Sequence, residues 1–197
     1  MKKKILAAVL LVVCMVFNAF LVTSCGDKET VGVDVFETAI ENTAPTNISG
    51  KITLYTGSAT LELTYTSVIA EDGTFTVNYS YNKLADASSG SASDLDIPVG
   101  GTVTYDGTKY SDSSIAGKIV AAATQLDLGA DMECSVSSDG RVLSATVLAE
   151  DTEDVFGVDY AADVRFVLTQ ADEKIVSLNL EYTLASGELV KAECSYK

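Results

Sequence analysis

Histidine and tryptophan are absent from this chain of 197 residues, and cysteine occurs only four times. Without an imidazole the chain cannot assemble a Ser-His-Asp or Cys-His nucleophile, nor a zinc site with histidine ligands. Cations are scarce as well, with 13 lysines and arginines against 28 carboxylates and a net charge of −15. A surface this negative repels phosphate backbones and anionic headgroups, so nucleic acid is not an expected partner. Beyond residue 24 there is no apolar run of membrane-spanning length. The absences together predict a non-enzymatic chain that needs neither metal nor cofactor.

What is present begins at the N-terminus. Lys2, Lys3 and Lys4 precede an apolar stretch from Ile5 to Val22, and Thr23-Ser24 leads into Cys25. These are the three parts of an export signal, here ending at a thiol. An uncleaved membrane helix has about the same length. Asn18 late in the run and the small residues before Cys25 favour cleavage instead. The segment resembles the bacterial lipoprotein signal with its lipobox. That resemblance implies diacylglycerol on the sulfur of Cys25, cleavage before it, and a place on the extracytoplasmic face of a bacterial membrane. Buried acyl chains contribute about 0.8 kcal/mol per methylene, enough to hold a soluble domain at a membrane with no protein segment inside it. The expected organisation is a signal peptide over 1–24, an acylated tether over 25–32 and one monomeric domain over 33–197. Loss of the signal removes three lysines and no acid, which moves the net charge to −18.

With Cys14 in the signal and Cys25 acylated, Cys134 and Cys194 remain. Both fall on the apolar side of alternating runs, where an exported chain could pair them but need not. Neither suits catalysis, since Glu133 and Glu193 beside them raise a thiol pKa and no histidine is present to activate a thiol.

The periodicity changes along the domain. Val33, Phe36 and Ile40 are spaced for a short amphipathic helix over 33–42, ended by Pro45. From Ile48 the period becomes two, giving strands around 48–54, 61–69 and 75–81, with turns at Gly57-Ser58 and Asp72-Gly73. Residues 85–98 lose all periodicity and read as a polar loop. A hairpin follows, with strands over 99–105 and 108–111 about Asp106-Gly107. Asp112 or Ser113 then caps a second helix reaching Asp127, with Ile115, Ile119, Ala122 and Leu126 as its apolar stripe. Five more strands follow, over 132–137, 142–149, 162–169, 175–184 and 188–196, with turns at Asp139-Gly140, Asp172-Glu173 and Ser186-Gly187.

Two motifs offer chemistry and are set aside. Ser80-Tyr81-Asn82-Lys83 has the S-x-x-K spacing of serine acyl transferases but ends a strand, whereas that motif needs a helical turn to bring lysine to serine. The acidic stretch Glu150, Asp151, Glu153, Asp154, Asp159 and Asp163 fails the spacing of a calcium-binding EF-hand loop and reads as a solvated hairpin loop.

Strands that are apolar on one side only need a cover, and two amphipathic helices supply one. The expected class is α+β: a large curved antiparallel sheet of about ten strands with two short helices over its concave face. This order of elements, behind a lipobox and tether, resembles the half-barrel lipoprotein carriers of the LolA and LprG type. The resemblance covers 33–197 in element order and implies an apolar groove for acyl chains. Tyr65, Phe75, Val77, Tyr79, Leu178, Leu180 and Tyr182 are the residues expected to line it. The expected function is binding or carrying a lipid-like ligand. The alternative is a surface interaction module with a filled core that binds an envelope protein or glycan.

Overall fold

A computed structural model describes residues 33–56, 60–83, 100–111, 114–129 and 132–197, with side chains 81–83 excepted. The signal segment, Cys25, the tether, the Gly57-Ser58 turn, the 85–98 loop and the capping pair Asp112 and Ser113 lie outside the described residues. All described residues belong to one compact unit, Gly32–Lys197.

Alternation of apolar and hydroxyl-bearing residues makes each strand two-faced, and the hairpin turns stack the strands in antiparallel order. The elements are α1 (Val33–Glu41), β1 (Asn47–Tyr55), β2 (Thr60–Ile69), β3 (Phe75–Lys83), β4 (Gly100–Tyr105), α2 (Ile115–Thr124), β5 (Cys134–Val136), β6 (Val142–Val147), α3 (Thr152–Phe156), β7 (Val164–Ala171), β8 (Lys174–Thr183) and β9 (Leu189–Tyr196). They form a single nine-stranded sheet in the order β4-β3-β2-β1-β9-β8-β7-β6-β5. Its centre is a seam between the first and last strands, with Ile52 opposite Ala192. The two ends of the order, β4 and β5, do not meet, and the sheet is open.

Three details differ from the sequence expectation. The strand expected over 108–111 shrinks to a single bridge between Tyr105 and Tyr110. Asp106 accounts for it: its carboxylate accepts from the Thr108 hydroxyl (2.7 Å), the Thr108 amide (3.0 Å) and the Lys109 amide (3.0 Å), winding those residues into a turn. The strand expected over 132–137 is paired only over Cys134–Val136. The acidic stretch, expected as a loop, instead forms a 3₁₀ turn over Ala149–Asp151 and then α3. Thr152, Val155 and Phe156 of α3 are buried, and the Phe156 ring meets Phe166 edge-on at 5.6 Å. Among the described residues there are thus nine strands and three α-helices, where about ten strands and two helices were expected.

α1 is too short to be stable alone in water, so its packing must hold it. Phe36 and Ala39 are fully buried, and the helix lies against β8. Thr43 clasps its end, donating to the Ala39 carbonyl (2.6 Å) and accepting from the Ile175 amide (2.8 Å). The N-cap of α2 is Ser114, whose hydroxyl accepts from the Gly117 amide at 3.1 Å. α2 is buried on more than its expected stripe: Ala116, Gly117, Ile119, Val120, Ala121, Ala122 and Ala123 are all inside. It packs on β3, β4 and β9 and also touches α3, so two sides are covered.

Candidate functional site

The sheet has two faces, and each is a candidate. The helix-covered face carries every residue expected to line a groove. Tyr65, Phe75, Val77, Tyr79, Leu178, Leu180 and Tyr182 are all buried, none more than 7% exposed, and belong to one core cluster with Phe36, Ile119 and Phe156. The strand registers place Tyr79, Tyr65 and Leu178 in one row, which reads Gly101–Tyr79–Tyr65–Gly50–Cys194–Leu178 across β4, β3, β2, β1, β9 and β8. The two glycines let the tyrosines lie across the neighbouring strands. A Cβ at Gly50 would stand 2.6 Å from the Tyr65 hydroxyl and overlap the Glu193 carbonyl, and one at Gly101 would stand 2.9 Å from the Tyr79 hydroxyl. Tyr65 crosses Gly50 to donate to the Glu193 carbonyl at 3.0 Å.

Phe75 sits elsewhere on this face, its ring stacked 5.0 Å from Tyr105 and tilted against Tyr110 at 5.9 Å. Tyr182 packs against Tyr160 at 4.8 Å. The Tyr160 hydroxyl donates to the Lys118 carbonyl (3.0 Å) and that of Tyr196 to the Ala123 carbonyl (2.8 Å), fixing α2 to the sheet. Three buried hydroxyls, Ser67 Oγ, Tyr110 Oη and Tyr182 Oη, have no partner among the described residues. Burial raises the Tyr182 pKa and pushes that of Tyr110 up to about 12, so both phenols stay neutral.

The two thiols do not pair. Cys134 and Cys194 are free. Strands β8, β7 and β6 separate β9 from β5, so the two cysteines lie about 19 Å apart along the sheet at the usual strand spacing, well beyond disulfide reach. Burial pushes the Cys194 thiol up to about 12 and raises that of Cys134, so neither is a ready nucleophile. Ser80 shares a hydrogen bond with Thr64 (3.1 Å) on the open face. The side chain of Lys83, the other member of the S-x-x-K spacing, lies outside the described residues. In the acidic stretch, Asp163 accepts from the Ala149 amide (2.9 Å) and Asp159 from the Ala161 amide (2.7 Å). No group of three or more metal-ligating side chains occurs among the described residues.

Among the described residues no helix covers the open face. One row runs Thr102–Asn78–Thr66–Ser49–Ser195–Ser177–Thr169 across seven strands, entirely of hydroxyl and amide side chains. Beside it, charges close on one another. Lys51 lies 3.7 Å from both Glu62 and Glu193, while Glu181 lies 2.8 Å from Lys191 and 3.9 Å from Arg165. At the β4 end is a shallow depression of about 410 Å³, walled by Val68, Thr76 and Thr104 from one row, by Ala70, Thr74 and Asp106 beyond it, and by Phe75 and Tyr105. Val68 is 62% exposed there. Each residue on this face is, singly, an ordinary solvent-facing strand position, so alternation alone marks the face as polar without showing the row. The regular turns fix the register, and the register reveals the row.

No family model matches the chain, and no curated protein matches it in sequence.

Proposed function

We propose that this chain is an extracytoplasmic bacterial lipoprotein, anchored through an acylated Cys25, whose domain is a non-enzymatic interaction module acting through its surface. In this reading the open sheet is a half-barrel curled around its own helices. The observation that carries the reading is the filling of the helix-covered face: all seven groove candidates are buried against Phe36, α2 and Phe156. A lipid on that face would have to displace α2, which has seven buried residues. Burial raises both thiols, so neither Cys134 nor Cys194 offers a ready thiolate nucleophile. No helix among the described residues is long and apolar enough to cross a membrane, which is compatible with anchoring by lipid.

The carrier reading keeps one observation in its favour. Ser67 Oγ and Tyr182 Oη are buried on the helix-covered face without partners among the described residues, and an entering polar headgroup would satisfy them. Native mass spectrometry of the full protein, purified in detergent from its native host, separates the two readings. A polypeptide beginning at Cys25 with only covalently attached acyl chains is the expected result. A stoichiometric non-covalent lipid would overturn the interaction reading in favour of the carrier, and retention of residues 1–24 without acylation would overturn the anchor.

A further inference from the structure

We infer that the open face of the sheet binds an uncharged polyhydroxyl chain, a neutral glycan strand, laid along the hydroxyl and amide row with the Val68 depression beside the β4 end of that row. The inference rests on the surface-module reading and names its partner.

Charge is the first argument. The domain is strongly acidic, yet the middle of this face is electrically closed, since Lys51 is held between Glu62 and Glu193, and Glu181 between Lys191 and Arg165. A polyanion meets no unengaged cation in these two triplets and is repelled by the domain as a whole. A polycation would have to displace the lysines and the arginine from their carboxylates. The surface complements a partner without charge.

Apolar content is the second. A protein interface needs a contiguous desolvated anchor, commonly aromatic. The large apolar side chains exposed on this face are scattered: Tyr55 and Val68 lie at opposite ends of their strands. What is continuous is hydrogen-bonding capacity. The row presents a hydroxyl or amide at every strand over seven strands, about 29 Å at the usual strand spacing. Hydroxyls both donate and accept, so they match a partner that also does both at short regular intervals. In the depression the Asp106 oxygen is already held by Thr108 and Lys109. The apolar surface of Val68 and the methyls of Thr76 and Thr104 are left for a sugar ring face.

The test is co-sedimentation of the full-length lipoprotein in detergent with insoluble neutral polysaccharides, amorphous cellulose and chitin, against alginate gel as the anionic comparison. Binding to at least one neutral polymer and none to alginate is expected. Thr66→Glu with Thr102→Glu, which sets two charges into the row, should reduce the bound fraction at least tenfold. Glu37→Gln on α1 should leave it unchanged. Asn78→Ala is the milder variant if the double substitution impairs folding by circular dichroism, and should reduce binding several-fold. Retention on neither neutral polymer, equal retention on alginate, or indifference to the row substitutions overturns the inference. A photo-crosslinking residue at position 78 in native cells tells this failure from failure of the underlying reading. A protein adduct there sinks the glycan but leaves a surface module, whereas no adduct together with no polysaccharide binding sinks both.

Discussion

Gly50→Ala is the substitution on which local propensity and tertiary geometry disagree in sign. Alanine in a strand is favoured over glycine by about 0.5–1 kcal/mol, so propensity alone expects stabilisation. Gly50, however, sits in the central seam strand between Tyr65 and Cys194, with the Tyr65 ring laid over it. An added methyl meets the Tyr65 hydroxyl at 2.6 Å and runs into the Glu193 carbonyl, which is backbone of the paired strand and cannot rotate away. Overpacking of a core typically costs about 1–3 kcal/mol. Loss of the Tyr65 to Glu193 hydrogen bond adds about 1 kcal/mol. Set against the propensity gain, the expected net loss is about 2–3 kcal/mol, a large share of an ordinary domain stability of about 5–15 kcal/mol. For a domain of this size that is a fall in Tm of about 5–10 °C. Urea denaturation gives the free energy and calorimetry the Tm. Tyr65→Phe removes the colliding oxygen, so Gly50→Ala should cost less in that background than in the parent, with a coupling of about 1 kcal/mol. Equal or greater stability of Gly50→Ala, or strict additivity of the pair, would refute this account of the row.

Ser67→Ala and Tyr182→Phe each remove a buried hydroxyl with no partner among the described residues and should be neutral or stabilising by up to about 1 kcal/mol in urea melts; destabilisation of either by more than this means that a partner satisfies it. Asp172 and Glu173 form the β7–β8 turn with φ of 53° and 58°, the left-handed region, without a glycine. Glu173→Gly relieves that conformation and should stabilise by about 0.5–1 kcal/mol, measured in the same way. Asp106 is depressed to about 2, first by the Thr108 hydroxyl and then by the Lys109 and Thr108 amides. A carboxyl lowered by folding contributes stability above its unfolded pKa of about 3.9, and that contribution is lost as pH falls through the folded value. The stability gap between the parent and Asp106→Ala should therefore be widest above pH 4 and close towards pH 2; a constant gap from pH 5 to pH 2 refutes the turn's role.

The strand plan was legible because its signal is local and repeated. Phe75, Val77 and Tyr79 alternate with Thr76 and Asn78, and Asp72-Gly73 sets both the turn and the register, so β2 and β3 pair as the pattern implies. α1 was legible from Phe36 and Ile40 for the same reason. α3 was not, because its buried Val155 and Phe156 are set among Glu150, Asp151, Glu153 and Asp154, and a count of acids outweighs two apolar side chains in a five-residue helix. The bridge between Tyr105 and Tyr110 failed to become a strand because Asp106 satisfies the amides that a ladder would have used. The groove residues were placed on the right face, but alternation reports only that a face avoids water. It says nothing of whether helix or ligand covers that face, and here α2 meets it with alanines small enough to come close.

The seam between β1 and β9 ties these points together. Each half of the chain builds a meander that ends on an unpaired strand. Only the pairing of residues 48–55 with 189–196 turns two such meanders into one sheet. That pairing closes almost the whole domain into a loop, and the entropy of closure must be met before its contacts form. Gly50 lies in this seam, the Tyr65 hydroxyl crosses it to donate to the Glu193 carbonyl, and Lys51 links Glu62 on one flanking strand to Glu193 on the other. On the helix-covered side, α2 reaches β9 and the β3–β4 pair at once, and Tyr196 of β9 donates to the Ala123 carbonyl of α2. The helix that fills the face is therefore also a strap across the two halves. Removing it to admit a ligand would loosen the seam, and a surface that works with α2 in place avoids that cost.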